Sequence, residues 1–444
     1  MKLTKIGDFL KRSKIPIDIL DSEDYRRVTI RINHNGVSLR DTELGKKIGT
    51  KKQFILKAGQ FIVSKIDARY GAFGIAPDEV DGAIITGNFW AYDVDFSKLN
   101  IEWFNQLTNS PDFYDLCERA SAGITHRKYL NESFFLNYEI MLPSVEEQLI
   151  QIEKIKNQKI SFGELTSELI HQLDLIKQLR QAFLREAMQG KLVRSSELGV
   201  ESETGHDLLA KIKAEKALLV AEKKLKKEKE LPPITADEIP FEIPEHWTWC
   251  RIAEISTKIG SGSTPKGSNY SETGKPFFRS QNIHDNGLVY DDIKFVSDYV
   301  QKQMNGTVVL ANDILLNITG GSMGRCALVP NDFEEGNVSQ HVCIIRPLLL
   351  NNVFLHKLVL SPYFQKLIFS STSGAGREGL PKYNLEQFII PLPPLHEQEQ
   401  IVAKLEQLMA FCDGLEQSIK ESQGYNEKLL QQVLREALQP SVEV

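Results

Sequence analysis

Three short patterns in the sequence have the residue types of catalytic or cofactor-binding motifs. Gly374, Gly376 and Gly379 have the GxGxxG spacing with which a loop cradles a pyrophosphate. That chemistry needs a helix directly after the loop, so that its N-terminal amides face the phosphates. Pro381 follows two residues later, and we interpret it as blocking that helix. The pattern therefore does not predict nucleotide binding.

The other two patterns lack an essential residue. Gly262 and Gly267 are spaced as in a Walker A loop, but Ser268 stands where a lysine must reach the phosphates. His396-Glu397 begins like a zinc-protease motif, yet Gln400 stands where the second histidine ligand is required. We also find no adenine-methylation motif of the Asn-Pro-Pro-Tyr type, no Gly-rich methyl-donor loop and no nuclease cluster. The sequence thus predicts a chain that binds no cofactor or metal and catalyses no reaction itself.

The composition is that of an ordinary globular protein. The 444 residues are 41% hydrophobic and 25% charged, which suits two or three domains. The five cysteines are scattered and include no CxxC pair, so we expect reduced structural thiols. No apolar run approaches the roughly 20 residues that span a bilayer, and the first residues are already mixed and charged. We therefore predict a cytoplasmic protein without membrane contact.

The charge distribution excludes a uniformly basic protein. The net charge is −6, and residues 392–444 carry most of it, with four Lys and Arg against nine Asp and Glu. The rest of the chain is close to neutral. A nucleic-acid-binding surface therefore has to be a local basic groove.

An internal repeat with an offset of 250 residues organises the chain. Leu142-Pro143 recurs as Leu392-Pro393, Glu147-Gln148 as Glu397-Gln398, and the run Leu-Arg-Glu-Ala occurs at both 184–187 and 434–437. In both copies apolar residues step by three and four, which predicts a long helix with one apolar stripe. Ser144 and Glu147 have the spacing of a capping box, and Gly190 and Pro440 stand at equivalent helix ends.

These helices are too long to bury their stripes on one small domain. About 45 residues would extend about 65 Å. We therefore predict that the two helices pair as an antiparallel coiled coil; packing of each helix on its own domain is the alternative. A further helix is expected over residues 205–230, ending in a Lys-rich run that we interpret mainly as a solvated face.

Two globular blocks separate the helices. Residues 58–77 align with residues 311–330 without a gap and keep Gly71 with Gly324, whereas the loops differ between the copies. We predict an α+β fold class with two strand-rich α/β domains joined by the two helices. The expected boundaries are 1–143 for the first domain, 144–239 for a helical spacer and linker, 240–393 for the second domain and 394–444 for the C-terminal helical spacer. A shared scaffold with divergent loops suits two readers of different targets.

Several runs of residues resemble those of a known family. The run TKKQFILKAGQFIVSKIDAR at 50–69, followed by 71–75, is similar to a target-recognition domain of the specificity subunits of type I restriction-modification enzymes. Gly262-Ser-Thr-Pro265 with Tyr270 is similar to such a domain in the second block. The joints at 142–148, 185–193 and 392–398 resemble the helical regions of the same family. The resemblance covers nearly the whole chain.

This resemblance implies a non-catalytic DNA-binding subunit. Each domain would read half of a bipartite, asymmetric site on double-stranded DNA, and the helices would set the gap between the halves. Two modification subunits would methylate adenine with S-adenosylmethionine, and an ATP- and Mg-dependent restriction subunit can join them. The cofactors would then belong to the partners, for which the helices are the expected docking surface.

For DNA contact we select basic and polar residues in each globular block. Base edges would be read for sequence, and phosphate contacts would set the register. An ordinary surface charge is the alternative for each residue. The candidates are Arg26, Arg27, Lys46, Lys47, Lys51, Lys52, Arg69, His126, Arg127 and Lys128 in the first block, and Lys266, Arg279, Gln281, Asn282, Arg325, Arg377 and Lys382 in the second.

Two other functions stay open at this point. A coiled-coil scaffold whose globular blocks bind protein or glycan would show no steep loss of DNA affinity with salt. A self-sufficient methyltransferase or nuclease would be active as the purified chain alone.

Overall fold

The computed structural model describes residues 2–122, 128–193, 203–227, 231–372 and 379–438. They belong to two compact units, the first formed by residues 1–170 with 420–444 and the second by residues 171–419. Each unit contains one globular block and part of both long helices. This division into two units does not test the four segment boundaries expected from the sequence, which stay a prediction. Among the helices in the described ranges, none is long and apolar enough to cross a membrane.

The first unit contains most of its strands before its helices. The strands are β1 (Lys2–Lys5), β2 (Leu10–Ser13), β3 (Pro16–Asp18), β4 (Asp24–Ile30), β5 (Val37–Leu44), β6 (Lys52–Ile55), β7 (Phe61–Ser64), β8 (Phe73–Ile75), β9 (Ile84–Ile85), β10 (Phe89–Val94), β11 (Ser121–Ala122), β12 (Tyr129–Leu130) and β13 (Glu139–Leu142). The helices are α1 (Ile101–Thr108), α2 (Pro111–Arg119), α3 (Glu132–Asn137) and α4 (Val145–Met188), the last of which continues into the second unit.

A four-stranded antiparallel sheet in the order β2-β10-β7-β8 is the centre of the first unit. All four residues of β7 are buried. Since successive side chains point to opposite faces of a strand, both faces of the sheet must be covered there. Phe61 and Val63 pack with helices α1 and α2, whereas Ile62 packs with a five-stranded sheet in the order β3-β6-β9-β4-β5. The central sheet is therefore covered on both faces.

The second unit begins with a helix and repeats this plan. Its helices are α5 (Gly205–Ala221), α6 (Asp298–Gln303), α7 (Asn352–Val359), α8 (Pro362–Ser370), α9 (Lys382–Gln387) and α10 (Leu395–Leu438), the last of which continues into the first unit. Its strands are β14 (Thr248–Arg251), β15 (Ser256–Ser261), β16 (Lys275–Phe278), β17 (Ile283–His284), β18 (Gly287–Leu288), β19 (Lys294–Val296), β20 (Val308–Val309), β21 (Ile314–Asn317), β22 (Cys326–Leu328), β23 (Gly336–Val338), β24 (Val342–Pro347) and β25 (Ile389–Leu392).

The central sheet of the second unit has the order β15-β24-β21-β22, in which each strand corresponds to one of β2-β10-β7-β8. Ile314 and Leu316 of β21 pack with helices α7 and α8, and Leu315 packs on the opposite face. That face is covered by a four-stranded sheet in the order β19-β16-β23-β20, which contains a parallel pair, β16 with β23. The prediction of two strand-rich domains in an internal repeat is confirmed.

Helices α4 and α10 pair in antiparallel fashion. In the second unit, Arg180 of α4 lies 2.8 Å from Asp413 and 2.9 Å from Glu416 of α10. Further along α4, residues 184–188 enter the same core as residues 401–405, so numbers rise along one helix as they fall along the other. In the first unit, the Asn426 side chain donates to Thr166 over 2.9 Å. These contacts confirm the expected antiparallel pairing.

The predicted ends of α4 are also confirmed. The amide of Ser144 donates to the Glu147 carboxylate over 2.8 Å, and the amide of Glu147 donates to Ser144 Oγ over 3.2 Å, which forms the capping box. Gly190 has a φ of 67°, the left-handed conformation that ends many helices. Pro440, the corresponding stop for α10, lies outside the described residues.

Two expectations about other helices were wrong. The helix from residue 205 ends at Ala221 instead of residue 230, because Lys223 adopts a left-handed φ of 59° and the chain turns back, with Leu225 donating to the carbonyl of Leu219. Pro381 does not block a helix: α9 begins directly after it, and a residue without an amide hydrogen is tolerated at a helix start. Gly374 and Gly376 lie outside the described residues.

Candidate nucleic-acid interface

One end of the central sheet brings three chain segments of the first unit together. Ser64 at the end of β7 lies opposite Phe89 at the start of β10. The amide of Lys65 donates to the carbonyl of Asn88 over 2.9 Å, and the amide of Leu130 donates to the carbonyl of Lys65 over 2.8 Å. We name residues 65–72, 86–88 and 128–130 the loop end of the first unit.

The second unit has the same arrangement. Asn317 at the end of β21 lies opposite Val342 at the start of β24. The amide of Ile318 donates to the carbonyl of His341 over 3.0 Å, and the amide of Leu380 donates to the carbonyl of Ile318 over 2.8 Å. Residues 318–325, 339–341 and 379–380 are the loop end of the second unit. The two loop ends therefore share a backbone framework and differ in their side chains.

A left-handed glycine turns the chain at each loop end. Gly71 has a φ of 79° and Gly324 a φ of 89°. A Cβ atom on Gly71 would collide with Tyr114 of α2, and one on Gly324 would collide with Gln365 of α8. Backbone conformation and helix contact both require glycine here, which explains why both copies have it.

Basic and aromatic side chains meet at the loop end of the first unit. The Arg69 guanidinium lies 4.5 Å from the centroid of the Tyr70 ring, and the Lys65 ammonium lies 5.6 Å from that of Tyr129. Tyr70 and Tyr129 are 49% and 43% exposed. Such rings can stack against bases while the cations meet phosphates. Of the candidates chosen from the sequence, Arg69 and the half-buried Lys128 lie here; His126 and Arg127 lie outside the described residues.

A cleft of about 480 Å³ separates β7 and this loop end from the five-stranded sheet. The side formed by β7 and the loop end contributes the polar residues Ser64, Asp67 and Asn88. The side formed by the five-stranded sheet and the turn after β5 contributes three cations, Arg27, Arg40 and Lys47.

Several candidate cations of the first unit already have acidic partners. Arg27 donates to both carboxylate oxygens of Asp41, over 2.6 and 2.7 Å, directly across the pair β4 and β5. These hydrogen bonds hold the pKa of Asp41 below its usual value. Lys47 lies 3.3 Å from Glu43. The charge that these cations offer to a phosphate is therefore partly neutralised.

The remaining candidates of the first unit divide into bound and free side chains. Lys51 lies 2.5 Å from Asp21, and Arg26 donates to backbone carbonyls, including that of Glu79. Lys46 and Lys52 are exposed and make no ion pair or side-chain hydrogen bond within the described ranges. These two lysines are consequently the most available of the group for a phosphate.

In the second unit, two candidates lie at or beside the loop end. Arg325 is part of it and is exposed. Lys266 is exposed two residues after Thr264, whose hydroxyl donates to Gln340 over 2.5 Å. A hydrogen bond of 2.7 Å joins Thr319 and His341 on the same surface. Arg377 lies outside the described residues.

Arg279 and Gln281 share one carboxylate. Arg279 lies 2.9 Å from Asp292, and Gln281 donates to the same oxygen over 3.2 Å. Lys294 lies 3.2 Å from the second oxygen. Hydrogen bonds from Arg279, Lys294 and Gln281 lower the pKa of Asp292 to about 2. The side-chain amide of Asn317 donates to the carbonyl of Ser280 over 2.9 Å, which ties this cluster to the loop end.

The last two candidates have other roles. Asn282 is completely buried: its side chain accepts from the amide of Arg279 and donates to the carbonyls of Val289 and Asp291. The structure therefore gives it a structural role, because its side-chain oxygen and nitrogen are already hydrogen-bonded within the protein. Lys382 lies 3.2 Å from Glu386 on α9, and both line a groove beside α5.

Sequence reasoning missed several side chains at this surface. Lys65, Tyr70 and Tyr129 were absent from the candidates, although a basic residue directly precedes each tyrosine, and that pairing was a usable signal. Arg40 had no such signal, because only the pairing of β4 with β5 places it in the cleft.

The five cysteines are free and buried. Burial raises the pKa of the Cys117 and Cys343 thiols to about 12, so these side chains stay protonated and are poor nucleophiles. Within the described ranges, no three His, Cys, Asp or Glu side chains are grouped so that they could hold a metal ion.

Comparisons with known proteins identify the family. Residues 244–422 match the model of the type I restriction modification DNA specificity domain. The specificity subunit of the type I restriction enzyme EcoAI from Escherichia coli is 33% identical over 265 residues, which cover 58% of this chain and 44% of the relative. The EcoEI specificity subunit from the same organism is 30% identical over 391 residues, or 74% of this chain and 63% of the relative. The chain thus spans less than two thirds of the length of these relatives.

Solved structures share the fold. The HsdS subunit from Thermoanaerobacter tengcongensis superposes with a TM-score of 0.53 at 18% identity, covering 98% of this chain and 96% of that one. A chain from a structure on complex assembly and conformational transition of the type I R-M system superposes with a TM-score of 0.56, also at 18% identity, covering 99% and 98%.

Proposed function

Because the chain belongs to the family of type I restriction enzyme specificity subunits, we propose that it binds a bipartite, asymmetric DNA site and reads one half with each unit. The observation that supports this most directly is the pair of loop ends. Their backbone hydrogen bonds match, whereas one loop end carries Arg and Lys beside tyrosines and the other carries Thr, His and Arg. Equivalent frameworks with different side chains suit two half-sites of different sequence.

In this proposal the chain positions its partners and is not catalytic itself. Two modification subunits would dock on it and methylate adenine with S-adenosylmethionine, and an ATP- and Mg-dependent restriction subunit can join the complex in the cytoplasm. The length of the antiparallel helices α4 and α10 would set the gap between the half-sites.

The first experiment exchanges one unit. Residues 1–142 are replaced by the corresponding segment of another specificity subunit, and methylated adenines are mapped in DNA after co-expression with the modification subunit. We expect a change in one half of the recognised sequence and none in the other. A change in both halves would contradict independent reading, and loss of all methylation would call for the reciprocal exchange of residues 244–392 as a folding control.

The second experiment changes the spacer. Insertion of one heptad into each long helix lengthens the pair by about 10 Å at about 1.5 Å per residue. The gap between the methylated half-sites should grow by about three base pairs at about 3.4 Å each, with both half-site sequences unchanged. An unchanged gap would count against the spacer role. Binding to a random duplex pool at increasing salt provides a third check, because a scaffold for protein or glycan would show no steep decrease in affinity.

A further inference from the structure

The cleft between the loop end and the five-stranded sheet of the first unit contains a buried polar group with an unmet hydrogen bond. Gln53 lines the cleft and is 4% exposed. Its Nε2 donates to the carbonyl of Thr50 over 3.1 Å, whereas its Oε1 is buried and has no partner among the described residues. A buried acceptor without a partner costs about 1–3 kcal/mol, so a ligand with an N–H donor would recover that energy.

The volume and lining of the cleft suit a small, mostly uncharged ligand. Its volume of about 480 Å³ lies within the range of roughly 300–1,000 Å³ found for small-molecule sites. Ile48, Ile84 and Phe89 give it apolar surface, and Thr50, Thr86 and Asn88 give it polar edges. This combination matches a heterocycle with apolar faces and a hydrogen-bonding edge.

The charges around the cleft are balanced, which disfavours a free anion. Arg27 and Arg40 both lie beside Asp41, at 2.6 and 3.4 Å. Lys47 lies beside Glu43, and Asp67 adds a carboxylate to the opposite wall. Three cations thus face three carboxylates, and no net positive charge selects a phosphate or sulfate.

We propose that this cleft binds one unstacked nucleobase, whose N–H edge donates to Gln53 Oε1. The inference rests on the proposed function, because the cleft lies beside the loop end that would contact DNA, and that DNA would supply the base. A base taken out of a duplex and a free nucleoside have the same recognised edge, and the experiment distinguishes them.

The first arm measures binding of adenosine, cytidine, guanosine, thymidine and N3-methylthymidine to the full chain by titration calorimetry. N3-methylthymidine has no N–H on its base and should not bind. Gln53→Met removes the acceptor at similar volume and should weaken nucleoside binding at least about tenfold, the equivalent of one hydrogen bond of about 1.4 kcal/mol. Gly49→Leu fills the cleft from a position where a Cβ meets no atom within 4 Å, and it should abolish binding.

The matched control is Gly163→Leu, since Gly163 on α4 is equally open but lies outside the cleft. Thermal unfolding of all three variants shows whether each is folded. If Gln53→Met unfolds, Gly49→Leu alone carries the test.

The second arm compares a random-sequence duplex pool with the same pool carrying a single-nucleotide bulge. The base is assigned to DNA if the full chain binds the bulged pool more tightly than the paired pool. This preference should disappear in both cleft variants and persist in Gly163→Leu. Nucleoside binding without a bulge preference assigns the cleft to free nucleosides. If neither probe responds to the cleft variants, the inference is overturned, while retained binding of the paired duplex leaves the proposed function standing. If no duplex binds at all, the proposed function fails, and the nucleoside titration alone decides the cleft.

Discussion

The central sheets of the two units follow the same strand order, β2-β10-β7-β8 and β15-β24-β21-β22, whereas the sheets packed against them differ. The first unit adds a five-stranded sheet with the long β4–β5 hairpin. The second adds a four-stranded sheet and a separate small hairpin, β17 with β18. The part that contacts the long helices is constant, and the part that builds the outer surface varies.

The constant part is joined to the helices by the same buried amide. Gln148 Oε1 accepts from the amide of Asn100 over 2.7 Å, and its Nε2 donates to the carbonyl of Pro143 over 2.9 Å. Gln398 makes the equivalent bonds to Asn351 and Pro393, over 3.0 and 2.9 Å. Both glutamines are completely buried. One side chain thus ties the start of a long helix to the helix pair on its sheet.

The preceding glutamate shows how far the likeness extends. Glu147 caps α4 through Ser144 at the surface. Glu397 is 2% exposed and instead accepts hydrogen bonds from His246 and Trp247, each over 2.8 Å. A repeated residue therefore keeps its place in the chain without keeping its partners.

Replacement of the buried glutamines should have the largest effect. Gln148→Ala and Gln398→Ala each leave backbone groups buried without a partner, and we expect each to destabilise its unit by about 3 kcal/mol. Urea unfolding of the full chain measures this loss. Gln181→Ala and Gln431→Ala are matched controls, because these glutamines are exposed equivalents on the same helices, and they should change stability by less than about 0.5 kcal/mol. Clearly different losses of unfolding free energy for Gln148→Ala and Gln398→Ala would contradict the equivalence of the two joints.

Substitution of the two turn glycines should have the next largest effect, and the loss of stability should differ between the two units. Gly71→Ala forces a Cβ against the rigid Tyr114 ring, whereas Gly324→Ala meets the flexible side chain of Gln365. We expect a loss of about 2–3 kcal/mol for Gly71→Ala and about 1–2 kcal/mol for Gly324→Ala, since both also strain the backbone. Tyr114→Phe removes the hydroxyl that would collide and should restore part of the loss only in combination with Gly71→Ala. No restoration would mean that backbone strain dominates.

Acid should weaken both units through one histidine in each. Burial lowers the pKa of His34, which shares a hydrogen bond with Thr108 over 3.0 Å, and of His356, which donates to the carbonyl of Cys326 over 3.0 Å. As pH falls through the ordinary value of 6.5, the unfolded chain takes up protons that the folded chain refuses. Stability should therefore fall as the pH drops below about 7. Each histidine contributes a slope of at most about 1.4 kcal/mol per pH unit.

The more deeply buried His356 should contribute more than the half-buried His34. His356→Gln and His34→Gln should each flatten the pH dependence of urea unfolding, and His171→Gln, on an exposed helix position, serves as the control. A profile that stays flat in the parent chain would contradict the role of both histidines.

The smallest effect should come from the shared carboxylate of the second unit. Asp292→Asn releases Arg279 and Lys294 from an ion pair, and we expect about threefold tighter binding to a random duplex pool, with a salt slope steeper by about one. The charge on Asp292 itself should persist to acid pH, because its pKa is about 2. Glu334→Gln, at an exposed ion pair with Lys275 in the same unit, is the matched control. Equal increases for both variants would indicate a general charge effect.

Features that depend on neighbouring residues could be predicted from the sequence. The helix periodicity, the Ser144 capping box and the Gly190 stop need only a few consecutive residues, and the structure confirms them. The sequence also showed that Gly71 aligns with Gly324, and the structure gives the reason, since only glycine fits a left-handed turn against a helix.

Features that depend on distant residues were decided only by the tertiary structure. Arg27 loses part of its charge to Asp41 because strands β4 and β5 pair in one register, and Asn282 is buried because a hairpin folds over it. The sequence by itself determined where the first long helix begins and ends, since local backbone preferences set helix ends, and it showed that the plan is repeated. Strand pairing, which joins residues far apart in the chain, decided which cations remain available and which polar groups lack a partner.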